Sequence, residues 1–264
     1  MISKLIKVII LTSCLLVLVF LKGYFPDKQQ KTDTLFLQDF EEMSLNQQWF
    51  SPGLTVIEDQ ERKSEGLVLR QSYVPSPTGT PFIGRRFNLR ESVQEATLTF
   101  DMKIDPGFEF VKGGKLHGLG GGSATTGCKS IDPNGWSVRL MWRQEGKPVL
   151  YIYDQDRKNR CGDDIEAPFD FTFKKGLWYT VSLSVILNSA VGSSDGAASL
   201  YIDGEKIIEI NSLKLTGNMN SKIDYFMYNS FYGGNDQSWS PTKETFIYFD
   251  NFQVKAGSVL STNN

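Results

Sequence analysis

The sequence predicts an all-β fold, a single-domain antiparallel β-sandwich of jelly-roll type. Along the chain, apolar and polar residues alternate in one segment after another, which is the period of a strand with one buried face. Gly, Asn, Asp or Pro separates these segments, as in a run of strands joined by turns. No segment carries a 3.6-residue apolar stripe for more than about two helical turns, so long amphipathic helices are not expected.

Six segments show the alternation most clearly. They are residues 96–104, 136–142, 148–153, 178–187, 198–210 and 245–254. Asp203-Gly204 interrupts the fifth segment, and an Asp-Gly pair between two strands is a strong signal for a two-residue hairpin turn. The chain of 264 residues suits one large β domain better than two ordinary ones.

Composition limits the function classes. Hydrophobic residues make up 40% of the chain and aromatic residues 12%, which is enough for a sizeable core. The formal net charge of −2 argues against a general nucleic-acid-binding surface, so no nucleic-acid partner is expected. A local basic patch inside a cleft would still attract an anionic ligand.

Residues 1–23 have the charge layout of an export signal. Lys4 and Lys7 precede a largely apolar run over residues 8–21, and Lys22 closes it. No clear cleavage site follows, and the run is short for a membrane-spanning helix. A processed signal peptide and an uncleaved signal anchor, which would hold the protein at a membrane through residues 8–21, both stay open. Either one predicts an exported protein, extracellular or periplasmic.

The rest of the chain divides into three parts. Residues 24–38 begin with the polar stretch YFPDKQQKTDTL and are predicted to be a tether. Residues 39–256 contain the alternating segments and are predicted to form the β-sandwich domain. Residues 257–264 are predicted to be a loose tail.

Three cysteines bear on the compartment and on metal binding. Cys14 ends the stretch LTSC, which resembles a bacterial lipoprotein box, although the apolar run continues beyond it. For Cys128 and Cys161 the simplest interpretation in an oxidising compartment is one disulfide that clamps two loops, and two unpaired thiols are the alternative. With a single histidine, no zinc or iron site and no cofactor is expected, whereas a structural calcium on acidic residues stays open.

Two neighbouring strands place polar side chains on one face. Side chains alternate along residues 136–142, so the tryptophans and aliphatic residues point one way and the polar residues the other. If this strand pairs with residues 148–153 as a hairpin, the apolar pattern sets the register. The face opposite the core then carries Ser137, Arg139, Tyr151 and Tyr153. Residues two apart on a strand lie about 7 Å apart, roughly the scale of one sugar ring.

The segment FEFVKGGKLHGLGGG, residues 108–122, adds cations to this face. Its glycines let the backbone turn or approach a ligand closely, so we expect a loop that holds Lys115 over the polar face. The segment does not match a phosphate-binding loop, because it is not part of a strand-loop-helix unit and does not end in a Lys-Ser or Lys-Thr pair. Residues 136–142 and residues 148–153, each taken alone, are typical of ordinary strands. The interpretation of their shared face as a binding site depends on their combination with Lys115.

These stretches together resemble polysaccharide lyase family 14. The resemblance is carried by KGGKLHGLGGG, GWSVRLMWR, YIYDQD, FYGGNDQSW at 231–239 and YFDNFQV at 248–254, and it spans about residues 40–256. It implies a concanavalin-like jelly roll with a substrate groove on one sheet, an acidic polysaccharide substrate and no obligatory metal. It also implies the catalytic set Lys115, Ser137, Arg139, Tyr151 and Tyr153.

The implied reaction is β-elimination on an alginate-like or glucuronan-like polyuronate, and these residue types suit it. Arg139 can bind the substrate carboxylate with its planar fork and stabilise the developing enolate, and Ser137 could hydrogen-bond the same group. A tyrosine beside Lys and Arg is expected to have a lowered pKa, so Tyr151 and Tyr153 are candidates for base and acid. Lys115 is either the base itself or a supporting charge, and the roles stay open.

Further residues are predicted to contact the sugar chain. They are Lys112, His117, Arg143, Tyr232, Asn235 and Trp239. The family usually has proline after KGGKL, where this chain has His117, so His117 either touches the sugar or occupies a turn. We expect a monomer.

Two other functions compete with the lyase. A retaining glycoside hydrolase would need two carboxylates spaced on one strand, and the acidic residues between 154 and 166 read instead as a solvated loop. A non-catalytic carbohydrate-binding module for acidic glycans is the stronger alternative. The complete set of Lys, Arg and Tyr-x-Tyr favours the enzyme.

Overall fold

Two antiparallel sheets face each other across one apolar core in the computed structural model, which describes residues 33–41, 49, 51–59 and 66–258. The strands in these ranges are β1 Thr34–Gln38, β2 Leu54–Glu58, β3 Leu67–Tyr73, β4 Ile83–Val93, β5 Glu95–Ile104, β6 Gly113–Gly122, β7 Gly135–Arg143, β8 Pro148–Tyr153, β9 Asp163–Glu166, β10 Trp178–Ile186, β11 Gly196–Ile202, β12 Glu205–Leu213, β13 Ile223–Tyr232 and β14 Thr245–Ala256.

The larger sheet has the strand order β12-β11-β10-β5-β14-β3-β2, with β1 also paired to β14. The smaller sheet has the order β4-β13-β6-β7-β8-β9. Short 3-10 turns lie at Gln144–Gly146 and Gln237–Trp239. In the part of the chain that the structure describes, no helix is long and apolar enough to cross a membrane. The predicted all-β sandwich is confirmed.

The core lies between the sheets and is built from one side of each alternating strand. Trp136 and Leu140 of β7 belong to the same apolar cluster as Phe100 and Phe249 of the larger sheet, and all four are fully buried. Burying a large apolar side chain contributes roughly 1.5–3 kcal/mol. This gain fixes which face of each strand points inward, because a one-residue slip would expose every core side chain.

The two hairpins predicted from the sequence are present. In the first, β7 pairs with β8 so that Ser137 lies opposite Tyr153 and Arg139 opposite Tyr151. The second joins β11 to β12 at Asp203-Gly204, where both residues have positive φ, 52° and 82°. Positive φ at both positions is what a type I′ turn requires.

Three predictions about the chain's organisation need correction. The glycine-rich segment is not a loop, because Gly113–Gly122 forms β6 in the middle of the smaller sheet. The tether predicted for residues 24–38 does not include Thr34–Gln38, which forms β1 and pairs with β14, and residues 24–32 lie outside the described residues. The acidic stretch is only partly a loop, because Asp163–Glu166 forms β9.

The ends of the chain are described only in part. The export signal predicted for residues 1–23 lies outside the described residues, as do residues 259–264 of the predicted tail. The first tail residues are held in place: the Gly257 N–H donates to the Glu95 carbonyl, and Ser258 is buried.

Candidate active site

One face of the smaller sheet points away from the core and carries the polar residues predicted from the sequence. We call it the groove face. From β13 to β9 its side chains include Met227, Asn229, Phe231, Lys115, Ser137, Arg139, Met141, Arg143, Val149, Tyr151, Tyr153, Asp164 and Glu166. Four of them, Met141, Val149, Tyr151 and Tyr153, form a small apolar cluster separate from the main core. This cluster is the floor on which the charged groups lie.

Arg139 lies at the centre of the groove face. Its guanidinium carbon is 5.4 Å from the ring centroid of Tyr151 and 5.5 Å from that of Tyr153. The side chain is 3% exposed, and its buried Nε has no hydrogen-bond partner among the described residues. Burial lowers the pKa of Arg139, but a guanidinium stays charged at neutral pH. A buried cation with an unused donor is suited to binding a carboxylate.

Lys115 lies beside Arg139 on the next strand. Its Nζ is 5.5 Å from the Tyr151 ring centroid and 5.6 Å from that of Phe231. The ammonium lies against Gly233, where a methyl group would overlap it. Burial, followed by the charges of Arg139 and Arg143, lowers the pKa of Lys115 to about 8. Lys115 can therefore exchange a proton near neutral pH.

Tyr151 faces both cations but does not have the lowered pKa that the sequence suggested. Burial, and then a hydrogen bond with Tyr153, raise the pKa of the Tyr151 hydroxyl, and the charge of Arg139 only partly offsets this. The expectation of an easily formed phenolate was wrong for Tyr151, because desolvation outweighs the attraction of the neighbouring cation. Tyr151 is consequently a proton donor at neutral pH.

Tyr153 is covered by two loops, residues 123–134 and 154–162, which we call the covering loops. A disulfide between Cys128 and Cys161 joins them, with an S–S distance of 2.05 Å. The Cys128 N–H donates to the Tyr153 hydroxyl at 3.1 Å. Tyr153 is 2% exposed, and its part in the chemistry stays a prediction.

Ser137 lies on the groove face as predicted, and its hydroxyl already has a partner within the protein. It is fully buried, and its Oγ donates to the Thr125 carbonyl at 2.8 Å. The hydroxyl therefore anchors one covering loop. The direct part in the chemistry predicted for Ser137 stays a prediction.

His117 does not lie on the groove face. A β-bulge between Lys115 and Gly118 adds one residue to β6 relative to β7, and this reverses the alternation that would place His117 beside Lys115. His117 is instead fully buried in the core, stacked on Tyr228 with ring centroids 4.3 Å apart. The prediction that it contacts the sugar is wrong.

Tyr232 is also in the core and not in the groove. It is fully buried, and its hydroxyl donates to the Glu109 carbonyl. Regular alternation along β13 explains this position, because Phe231 points to the groove and Tyr232 therefore points inward. The prediction of a sugar contact at Tyr232 is wrong.

The other predicted contact residues lie on the surface near the open end of the groove. Lys112 donates to Ser238 Oγ, and its Nζ is 5.7 Å from the Trp239 ring centroid. Asn235 is exposed in the segment after β13. Their contact with a sugar chain stays a prediction.

Arg143 lies on the groove face and also forms an ion pair with Asp164, which the sequence did not suggest. Its Nη2 lies 2.5 Å from Asp164 Oδ2, and its Nε donates to the same oxygen at 2.7 Å. Beside this pair is a surface depression of about 610 Å³, lined in part by Lys112 and Glu166. The groove face therefore continues into open space at this end.

Sequence reasoning missed two groove residues besides Asp164. Asn229 lies between Met227 and Phe231 in the alternation of β13 and is 6% exposed. Arg86 of β4 donates to the Ala124 carbonyl and adds a positive charge near Arg139. Both could have been found only after β4 and β13 were known to flank β6, because neither strand pairing is visible in the local pattern.

Comparison with known proteins gives one family match. Residues 67–252 match the family model described as polysaccharide lyase 14. Among curated proteins, none matches the chain.

Solved structures share the fold at low sequence identity. Alginate lyase Aly36B, in a variant with one lysine and one tyrosine changed to alanine and in complex with an alginate tetrasaccharide, is 24% identical over 76% of this chain and 86% of its own, with a TM-score of 0.65. A marine alginate lyase from Aplysia kurodai is 22% identical over 78% and 87%, with a TM-score of 0.64. An endo-β-1,4-glucuronan lyase from the fungus Trichoderma reesei is 15% identical over 86% and 92%, with a TM-score of 0.55.

Proposed function

The chain belongs to polysaccharide lyase family 14, and we propose that it cleaves a polyuronate of the alginate or glucuronan type by metal-independent β-elimination. The match over residues 67–252 confirms the resemblance seen in the sequence. One observation carries the proposal of mechanism. Arg139, Lys115 and Tyr151 lie on one face within about one sugar ring of each other, as a cation, a proton acceptor and a proton donor.

In the proposed reaction Arg139 binds the carboxylate on C5 of the uronate. The proton on C5 is weakly acidic because it is α to this carboxylate, and the guanidinium stabilises the negative charge that develops as the proton leaves. The buried Nε of Arg139 supplies a donor that is not already used within the described part of the chain. A charged side chain thereby does the work for which other enzymes use a metal ion.

Lys115 removes the C5 proton, and Tyr151 protonates the leaving oxygen. Neutral Lys115 takes the proton on Nζ, the C4–O4 bond breaks, a double bond forms between C4 and C5, and O4 receives the hydroxyl proton of Tyr151. The pKa of about 8 for Lys115 and the raised pKa of Tyr151 favour these roles over the reverse. The enzyme is restored when the proton on Lys115 returns to the Tyr151 oxygen.

In the sugar-bound Aly36B variant the residues changed to alanine are a lysine and a tyrosine, the two residue types to which we assign the proton transfers here. In this chain Lys115 and Tyr151 are the lysine and tyrosine that face each other across the groove floor. Tyr153 is proposed to be a positioning residue, because its hydroxyl is held by Cys128 and its side chain contacts Arg139 and Tyr151.

The direct test is to mix the purified domain with alginate and with glucuronan and follow ultraviolet absorbance. Elimination creates a conjugated double bond, so we expect absorbance to rise on at least one of the two polymers. Binding without any rise would contradict the lyase and support the alternative, a carbohydrate-binding module for acidic glycans.

We also propose that the protein works outside the cytoplasm as a monomer, held at a membrane through residues 8–21 if the signal is not cleaved. The disulfide between Cys128 and Cys161 supports an oxidising compartment, because such bonds persist mainly in exported proteins. Fractionation of cells that express the full chain tests the location. Recovery in the cytoplasm with both thiols reduced would contradict it.

A further inference from the structure

An exposed aromatic pair lies beside Lys115 on the groove face. Phe82 immediately precedes β4 and is 65% exposed, which is unusual for so large an apolar side chain. Its ring meets that of Phe231 edge to face, with centroids 5.0 Å apart and an interplanar angle of 72°. We call these two rings the Phe82–Phe231 platform.

The backbone holds the platform in place. The Phe82 ring lies over Gly84, where any side chain would overlap it. Glycine at position 84 therefore lets the ring lie flat on the edge of the sheet. Phe231 is in register with Lys115 on the adjacent strand, so the platform is continuous with the proposed catalytic residues.

A polar group borders the apolar surface. Lys115 Nζ is 5.6 Å from the Phe231 ring centroid, so an amine lies at the inner edge of the platform. A uronate residue has the matching features: C–H groups on one face of the ring, and a carboxylate and hydroxyl groups at its edge. Covering the exposed rings with such a face removes apolar surface from water, while an oxygen at the edge can accept a hydrogen bond from the amine.

From this juxtaposition we propose that the Phe82–Phe231 platform is a sugar-binding subsite that stacks on one uronate unit of the substrate chain. The inference rests on the proposed function, because it takes the ligand to be an acidic polysaccharide. The platform adds to the catalytic residues a contact that holds the chain without touching the bond that breaks.

The position of the platform sets the path of the substrate. In the sheet order, Phe231 on β13 lies on one side of Lys115, and Arg143 on β7 and Tyr151 on β8 lie on the other. Strands are spaced about 4.8 Å apart, so β4 to β8 spans about 19 Å, enough for several sugar units. The polysaccharide thus crosses the strands, and the platform contacts a unit on the β4 side of the cleavage point.

The test compares steady-state kinetics of Phe82→Ala with those of the unchanged protein on the polymer that is cleaved. We expect KM to rise about tenfold and kcat to change less than about twofold, because stacking is lost equally in the bound substrate and in the transition state. Phe82→Trp should restore KM, since it keeps a flat apolar ring. Leu37→Ala, which removes another exposed apolar side chain, 58% exposed and on β1 of the larger sheet, should leave both constants unchanged.

The possible outcomes distinguish failure of the platform proposal from failure of the proposed lyase function. If the unchanged protein cleaves the polymer and Phe82→Ala has the same KM, the platform proposal is overturned and the proposed function stands. If the unchanged protein binds without cleaving and Phe82→Ala binds about tenfold more weakly, the platform is supported and the lyase mechanism fails. If the unchanged protein neither cleaves nor binds either polymer, both are overturned.

Discussion

The backbone N–H of Cys128 donates a hydrogen bond of 3.1 Å to the hydroxyl of Tyr153. A residue of the disulfide is thus in direct contact with one wall of the groove. Arg157, from the other covering loop, places its guanidinium carbon 4.8 Å from the centroid of the Tyr153 ring and donates to the Lys129 carbonyl. The covering loops therefore fix the tyrosine that contacts Arg139 and Tyr151.

Replacing both Cys128 and Cys161 with serine should lower stability and activity together. Opening a loop that spans 33 residues is expected to cost about 3–4 kcal/mol of unfolding free energy. The kcat should fall as well, because the loop that holds Tyr153 is released. Urea unfolding and steady-state kinetics measure the two effects.

The control for this experiment is the same pair of serine substitutions made in a protein that already carries Tyr153→Phe. The tyrosine substitution removes the acceptor of the Cys128 N–H while leaving the disulfide intact. When the two serine substitutions are added to Tyr153→Phe, they should lower stability as much as they do in the unchanged protein. They should lower kcat by a much smaller factor than they do in the unchanged protein. Equal losses of kcat in both backgrounds would show that the disulfide does not act through Tyr153.

Substitution of Tyr151 should lower kcat much more than substitution of Tyr153. Tyr151→Phe removes the proposed proton donor, so kcat should fall at least about a hundredfold. Tyr153→Phe removes hydrogen bonds that position its neighbours but no proposed proton donor, so kcat should fall roughly tenfold or less. Steady-state kinetics on one polymer compares them, and a larger loss in Tyr153→Phe would exchange the assigned roles.

Gly233→Ala should impair catalysis without unfolding the protein. The added methyl group would overlap the Lys115 ammonium, the movable end of a long side chain, so the lysine rather than the backbone should shift. A small misplacement of a reacting group can cost about a hundredfold, so we expect kcat to fall by about that factor with the melting temperature nearly unchanged. Unchanged kcat would mean that Lys115 need not occupy its observed position.

Much of the fold could be predicted from the sequence where strands have one buried and one polar face. Trp136 and Leu140 alternate with Ser137 and Arg139, and that pattern alone gives the correct register with β8. The Asp203-Gly204 turn was equally predictable, because few other residue pairs adopt its backbone angles.

The missed features depend on contacts between distant parts of the chain. The bulge that turns His117 into the core follows from the pairing of β6 with β7 and cannot be read from a glycine-rich segment. The burial of Ser137 depends on Thr125 in a covering loop, whose position follows from the disulfide and not from local propensity. Phe82 was missed because a single phenylalanine before a strand gives no sign of being exposed.

The pKa of Tyr151 shows the same limitation in electrostatic form. Sequence alone identifies the cations beside the tyrosine and so suggests a lowered value. The structure adds the burial of the Tyr151 hydroxyl, which raises its pKa by more than the charge of Arg139 lowers it.

The pH dependence of kcat/KM tests the central claim, that Lys115 is the base, most directly. Because the pKa of Lys115 is lowered to about 8, the lysine is protonated and inactive below that pH and neutral above it. We predict that kcat/KM rises with pH with a midpoint near 8 and stays high beyond it, since Tyr151 keeps its proton, while Lys115→Ala has no measurable activity at any pH. A flat profile between about pH 6 and about pH 9, or substantial activity in Lys115→Ala, would contradict the account.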